Sequence, residues 1–104
     1  MRCLLRVSFN AENGNKVIKN GTLPRTMKEI LSEIKPEASY FTTDNGERSA
    51  FLVVNINEAS DIIKTIEPFF LALNATVHVT PVMTGEDLEK GFHSLEGIVN
   101  KYGR

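Results

Sequence analysis

The segment Tyr40–Ile56, YFTTDNGERSAFLVVNI, constrains the fold more than any other stretch of this chain. Two runs rich in aromatic and β-branched residues flank Asp44-Asn45-Gly46-Glu47. Asn-Gly at a hairpin tip suits a type I′ turn, which needs positive φ at both central positions. A two-residue loop there sets Thr42 opposite Ser49, Phe41 opposite Ala50 and Tyr40 opposite Phe51. By strand alternation, Ala50, Leu52, Val54 and Ile56 then share a face with Phe41, while Tyr40, Thr42, Ser49, Phe51 and Val53 share the other.

The remaining segments fit around this hairpin. Met1–Phe9 reads as a strand with Cys3, Leu5, Val7 and Phe9 on an apolar face and Leu4, Arg6 and Ser8 on the opposite one. Residues 10–21 are polar and broken by Gly14, Asn20 and Gly21, leaving room for one short helical turn at Lys16–Lys19. From Leu23, apolar residues recur at Met27, Ile30, Leu31 and Ile34, which predicts an amphipathic helix capped by Thr22 and ending before Pro36. A second helix opens at Asn57 or Glu58, carries Ile62, Ile63, Ile66, Phe69, Phe70 and Leu73, and ends at Asn74. Pro68 inside it predicts a kink or a restart. Residues 75–83 form a fourth strand with Val77 and Val79 on one face and Thr76, His78 and Thr80 on the other. Pro81, lacking an N–H, assigns this strand to a sheet edge. Thr84-Gly85-Glu86-Asp87 resembles a capping box and opens a last helix with Leu88, Phe92, Leu95, Ile98, Val99 and Tyr102 on one side. Gly91 and Gly97 weaken that helix, so it is expected to depend on docking.

Strand, helix, hairpin, helix, strand and appended helix is the βαββαβ plan of an α+β, ferredoxin-like domain with an antiparallel sheet in the order 4-1-3-2. At 104 residues the chain is a single domain, residues 1–104, small enough that self-association adds usefully to the surface it buries. Twelve basic against 13 acidic residues give a net charge of −1 without runs of either sign, which argues against nucleic acid and membrane-surface partners. The strands also lack the aromatic ribonucleoprotein motif. Arg6 interrupts the apolar run Cys3-Leu4-Leu5 too early for a signal peptide or a membrane span, and a cytoplasmic location is expected. Cys3 is the single cysteine and reads as a small core residue.

The second sheet face collects Leu4, Arg6 and Ser8, Tyr40, Phe51 and Val53, and His78 and Thr80. Such a mixed, half-apolar surface suits a contact rather than open water. With this plan, and with the segment Thr80-Pro81-Val82-Met83-Thr84-Gly85-Glu86-Asp87-Leu88 running from the fourth strand into a helix, the chain resembles the dimeric α/β-barrel superfamily, in particular an uncharacterised bacterial branch of it. The resemblance covers the whole chain and implies a homodimer in which two sheets pack face to face around a central cavity. The superfamily includes cofactor-free quinol monooxygenases, haem-degrading monooxygenases and muconolactone isomerase-like enzymes, so the fold does not select a chemistry.

Two functional classes follow. Arg6 and His78 on neighbouring strands, with Ser8, Thr80, Tyr40 and Phe51, form a candidate ligand site in which a cation, a titrating imidazole and hydroxyls meet a small organic acid or aromatic ligand. That supports a cofactor-independent monooxygenase or isomerase acting on an aromatic or enolisable compound. The other class is a non-enzymatic small-molecule binding or assembly domain, in which Arg6 meets an acidic residue of a partner, His78 is a solvated edge residue, and Tyr40 and Phe51 fill the dimer contact. The balance of residues favours this second class. His93 reads as solvated, and two histidines separated by irregular chain make no metal site, so neither metal nor cofactor is predicted.

Overall fold

The computed structural model describes residues 1–103. Its elements in order are β1 (Arg2–Phe9), α1 (Ala11–Lys19), α2 (Thr22–Ile34), β2 (Ala38–Asp44), β3 (Glu47–Asn55), α3 (Asp61–Leu73), β4 (Thr76–Pro81), α4 (Gly85–Phe92) and α5 (Leu95–Tyr102). The strands form one antiparallel sheet in the order β2-β3-β1-β4, the ferredoxin-like arrangement.

The hairpin sets the frame. Asn45 and Gly46 have φ of 54° and 76°, the left-handed pair that a type I′ turn requires. Asp44 pairs with Glu47, and the pairs Thr42–Ser49, Phe41–Ala50 and Tyr40–Phe51 fall where a two-residue loop puts them. Alternation along the strands then builds the core. Cys3, Leu5, Val7 and Phe9 from β1 and Ala50, Leu52 and Val54 from β3 are buried against Ile30 of α2 and Phe69 and Leu73 of α3. Each large side chain removed from water in this way contributes roughly 1.5–3 kcal/mol.

β4 lies on the sheet edge. Val82 N–H donates to the Arg2 carbonyl. Successive amides along a strand alternate in direction, so the position of Pro81 is one whose missing N–H would face the free edge.

Four local features differ from the sequence reading. Residues 11–19 form a nine-residue helix, α1, and not a single turn. It is capped by Asn10, whose side chain accepts the Asn13 N–H at 2.8 Å. Gly14 is buried, and a Cβ there would be in ordinary contact with Phe9 and would displace only the end of the Arg48 side chain. Thr22 does not cap α2. Gly21, with φ of 75°, takes the cap position, and the Asn20 side chain accepts the Thr22 N–H. α3 runs through Pro68 without a restart. The residues that follow it, Phe69 and Leu73, are completely buried, and this packing outweighs the hydrogen bond lost at the proline. Asn74 ends α3 in the left-handed conformation, as its residue type suggests, with its N–H donating to the Phe70 carbonyl.

The fourth difference is the C-terminal segment, which forms two helices. α4 begins with a complete capping box. Thr84 N–H donates to Asp87 Oδ2 at 3.0 Å, and Asp87 N–H donates to Thr84 Oγ1 at 3.2 Å. At the other end, the amides of His93 and Ser94 close tight turns onto the carbonyls of Lys90 and Gly91, and α5 restarts at Leu95. α4 and α5 follow one another directly and make no substantial contact with the α/β body. The Cα radius of gyration is accordingly 17.5 Å, against about 13 Å for a compact chain of this length. Among the described residues no helix is long and apolar enough to cross a membrane.

Candidate functional site

The open sheet face is laid out by strand register in three cross-strand rows. The middle row reads Tyr40, Phe51, Arg6 and His78, each directly opposite the next. On one side lie Ala38, Val53, Leu4 and Thr80, and on the other Thr42, Ser49, Ser8 and Thr76. All six residues singled out from the sequence, Arg6, Ser8, Tyr40, Phe51, His78 and Thr80, are therefore on one face. They do not form one cluster. Arg6 and His78 are immediate neighbours, whereas Phe51 separates Arg6 from Tyr40, and Tyr40 and His78 occupy opposite edges about 14 Å apart at three strand spacings.

Burial follows the same layout. Tyr40 is 65% exposed, and His78 and Thr80 are also exposed, whereas Phe51, Val53, Leu4 and Arg6 are half-buried. Ser8 and Ser49 are 2% and 5% exposed on a face that no element covers. Arg6 accounts for this. Its Nε lies 2.8 Å from Asp44 Oδ2 at the hairpin tip, two strands away and two rows along, so the side chain spans the serine row to reach it. The carboxylate oxygen lies off the N–H direction, leaving the buried Nε without an aligned acceptor. The contact is thus ionic and not a directed hydrogen bond. The Ser49 hydroxyl donates to the Glu47 carbonyl at 3.0 Å.

Asp44 is the functional residue that the sequence reading missed. Arg6 was assigned an acidic residue of a partner, and the acid belongs to the same chain. The signal was present: Asp44 shares parity with Tyr40 and Thr42, which puts its carboxylate on the face of Arg6. An incoming anion at Arg6 has to compete with a carboxylate already in contact, which weakens the row as a receptor for organic acids in the single chain.

The main concavity lies on the other side of the sheet. A groove of about 550 Å³ opens between α2 and the β2 edge, floored by Phe9, Leu23, Met27, Leu31 and Phe41, with Lys28 and Arg48 at its rim. Phe41 is on the helix side, as alternation requires, yet remains 60% exposed where it lines this groove. Among the described residues no group of three or more His, Cys, Asp or Glu side chains is placed to hold a metal ion. The sequence matches no family model and no curated protein.

Proposed function

We propose that this protein is a homodimeric small-molecule binding or assembly domain of the dimeric α/β-barrel type, with the two open sheet faces packed together in a cytoplasmic dimer. The observation that supports the reading is the row Tyr40–Phe51–Arg6–His78, aromatic at one end, polar at the other, and uncovered in the single chain. Phe51, Val53 and Leu4 supply the desolvated centre of such a contact and Tyr40 an aromatic anchor. Any ligand cavity belongs to the dimer, bounded by Arg6, His78 and Thr80 of both copies, with Ser8 beneath the Arg6 side chain. A second reading, a cofactor-independent monooxygenase or isomerase for an aromatic or enolisable compound, is favoured by Arg6 standing directly opposite His78, a fixed cation beside a proton carrier. It requires the ligand to displace Asp44 from Arg6.

Sedimentation tests the pairing. The wild type is expected as a dimer at micromolar concentration and Phe51→Asp as a folded monomer, because the substitution removes the apolar centre of the contact and pairing would have to desolvate a carboxylate there. A dimer that survives Phe51→Asp, or a monomeric wild type, removes the face-to-face reading. A screen of small aromatic and carboxylic acids then separates binding from pure assembly. Hits whose affinity is unchanged by Arg6→Ala and His78→Ala exclude this face as their site.

A further inference from the structure

We propose that the C-terminal arm, α4 and α5, is exchanged between subunits, with the apolar side of each arm seated in the groove between α2 and the β2 edge of a second copy of this chain. The inference rests on the face-to-face pairing proposed above and assigns the arm and the groove a role within it.

Two uncovered apolar surfaces carry the argument. On the arm, Leu88, Phe92, Leu95, Ile98, Val99 and Tyr102 are 44–71% exposed, although their spacing makes one continuous side. On the body, the groove over Phe9, Met27, Leu31 and Phe41 is about 550 Å³ and almost entirely apolar. With roughly 150–250 Å² on a large side chain, six residues about half exposed put on the order of 500 Å² on each arm. Seating two arms then removes roughly 1,000 Å² from water on the arm side alone, to which the groove walls and the paired sheet faces add, within the range of specific interfaces. Charge agrees as well. The groove is rimmed by Lys28 and Arg48 without a carboxylate, and residues 84–102 carry Glu86, Asp87, Glu89 and Glu96 against Lys90 and Lys101.

Topology identifies a second copy as the occupant. The arm leaves the sheet at the end of β4, beside Cys3 at the start of β1. The groove opens at the β2 edge near Phe9, at the other end of β1, and so at the diagonally opposite corner. Three strand spacings across and six residues along separate the two by about 25 Å. A twofold axis lying between the paired faces and perpendicular to that diagonal interchanges the corners. Each arm then emerges beside the partner's groove and has only to pass the free edge of β2. The strands of the two sheets cross near a right angle in this arrangement, one of the two usual ways for sheets to pack.

Site-directed cross-linking of the full-length protein tests the exchange. Copies carrying Val99→Cys are mixed with copies of different mass carrying Lys28→Cys and treated with a short bismaleimide. Native Cys3 is buried. The expected product is a mixed dimer, reduced at least tenfold when Phe92→Asp is added to the Val99→Cys copy. A sedimenting dimer that yields no mixed product overturns the arm exchange and leaves the face pairing standing, whereas a monomer overturns the face pairing itself. A product joining two Val99→Cys copies places the arms against each other and overturns the proposal. So does an intrachain product at monomer mass, persisting on dilution, when one chain carries both cysteines.

Discussion

α3 and the C-terminal arm are written in the same pattern and end in different places. In α3, Ile62, Ile66, Phe69 and Leu73 recur at helical spacing and meet the sheet, with Phe69 and Leu73 completely buried. In α4 and α5, Leu88, Phe92, Leu95, Ile98, Val99 and Tyr102 recur at similar spacing, and none is buried. The physical difference is connection. α3 is tied at both ends to strands of one sheet, so its apolar side is returned to the core. The arm follows an edge strand, and among the described residues no strand after it returns it to the sheet. A hydrophobic period states that a helix needs a surface, and connectivity decides whether that surface is in the same molecule.

The sharpest way to break this comparison is to truncate one aromatic side chain in each region and compare the losses. Phe69→Ala leaves a cavity at the centre of the core and is expected to destabilise the fold by roughly 3–5 kcal/mol. Phe92→Ala, measured in the Phe51→Asp background so that assembly does not contribute, is expected to change global stability by less than about 0.5 kcal/mol. Denaturant unfolding at low protein concentration reads both. Comparable losses make the arm part of the body's cooperative unit and dissolve the distinction.

A second comparison uses glycines. Gly46 holds φ of 76° in the hairpin, so Gly46→Ala strains the turn that fixes the sheet register and is expected to lower global stability by about 1 kcal/mol. Gly97 lies within α5 with open space around its Cα and no positive φ. Gly97→Ala is expected to raise helicity by circular dichroism and to slow amide exchange in α5, leaving the unfolding midpoint unchanged. A midpoint that rises with Gly97→Ala couples the arm to the body.

What the sequence made legible divides along the same line. The order of elements gave the sheet order through the βαββαβ plan, and alternation and the Asn-Gly turn gave the hairpin register and the parity of the strand residues, because both are local rules with a rigid period. α1 was hidden because Gly14 and three nearby asparagines are poor helix formers. It forms because Asn10 caps it and Gly14 and Val17 are buried against the body, a tertiary contact that the local residue types do not announce. The candidate row was legible as a face but not as a charge balance. Pairing Arg6 with Asp44 depends on a diagonal reach across two strands, and a turn residue was not counted among the side chains of the face.

The smallest expected effect is on the pH response of the arm. The Asp87 carboxyl is held below the usual carboxylate range by the Thr84 backbone N–H that it accepts, then by its hydrogen bond with the Thr84 side chain, with Lys90 and Arg2 adding weak attraction. A depressed folded-state pKa favours the capped helix above the unfolded value of about 3.9 and ceases to do so as pH falls through the folded-state value. Acidification from pH 6 to pH 3 is therefore expected to fray α4 first, seen as faster amide exchange or loss of NMR cross-peaks at residues 86–90, with the strand amides of the body retained. Asp87→Asn keeps an acceptor without the titration and is expected to flatten the response. A slope in Asp87→Asn equal to the wild type's removes Asp87 as the source of the response, and fraying of the body together with α4 erases the boundary between the two regions.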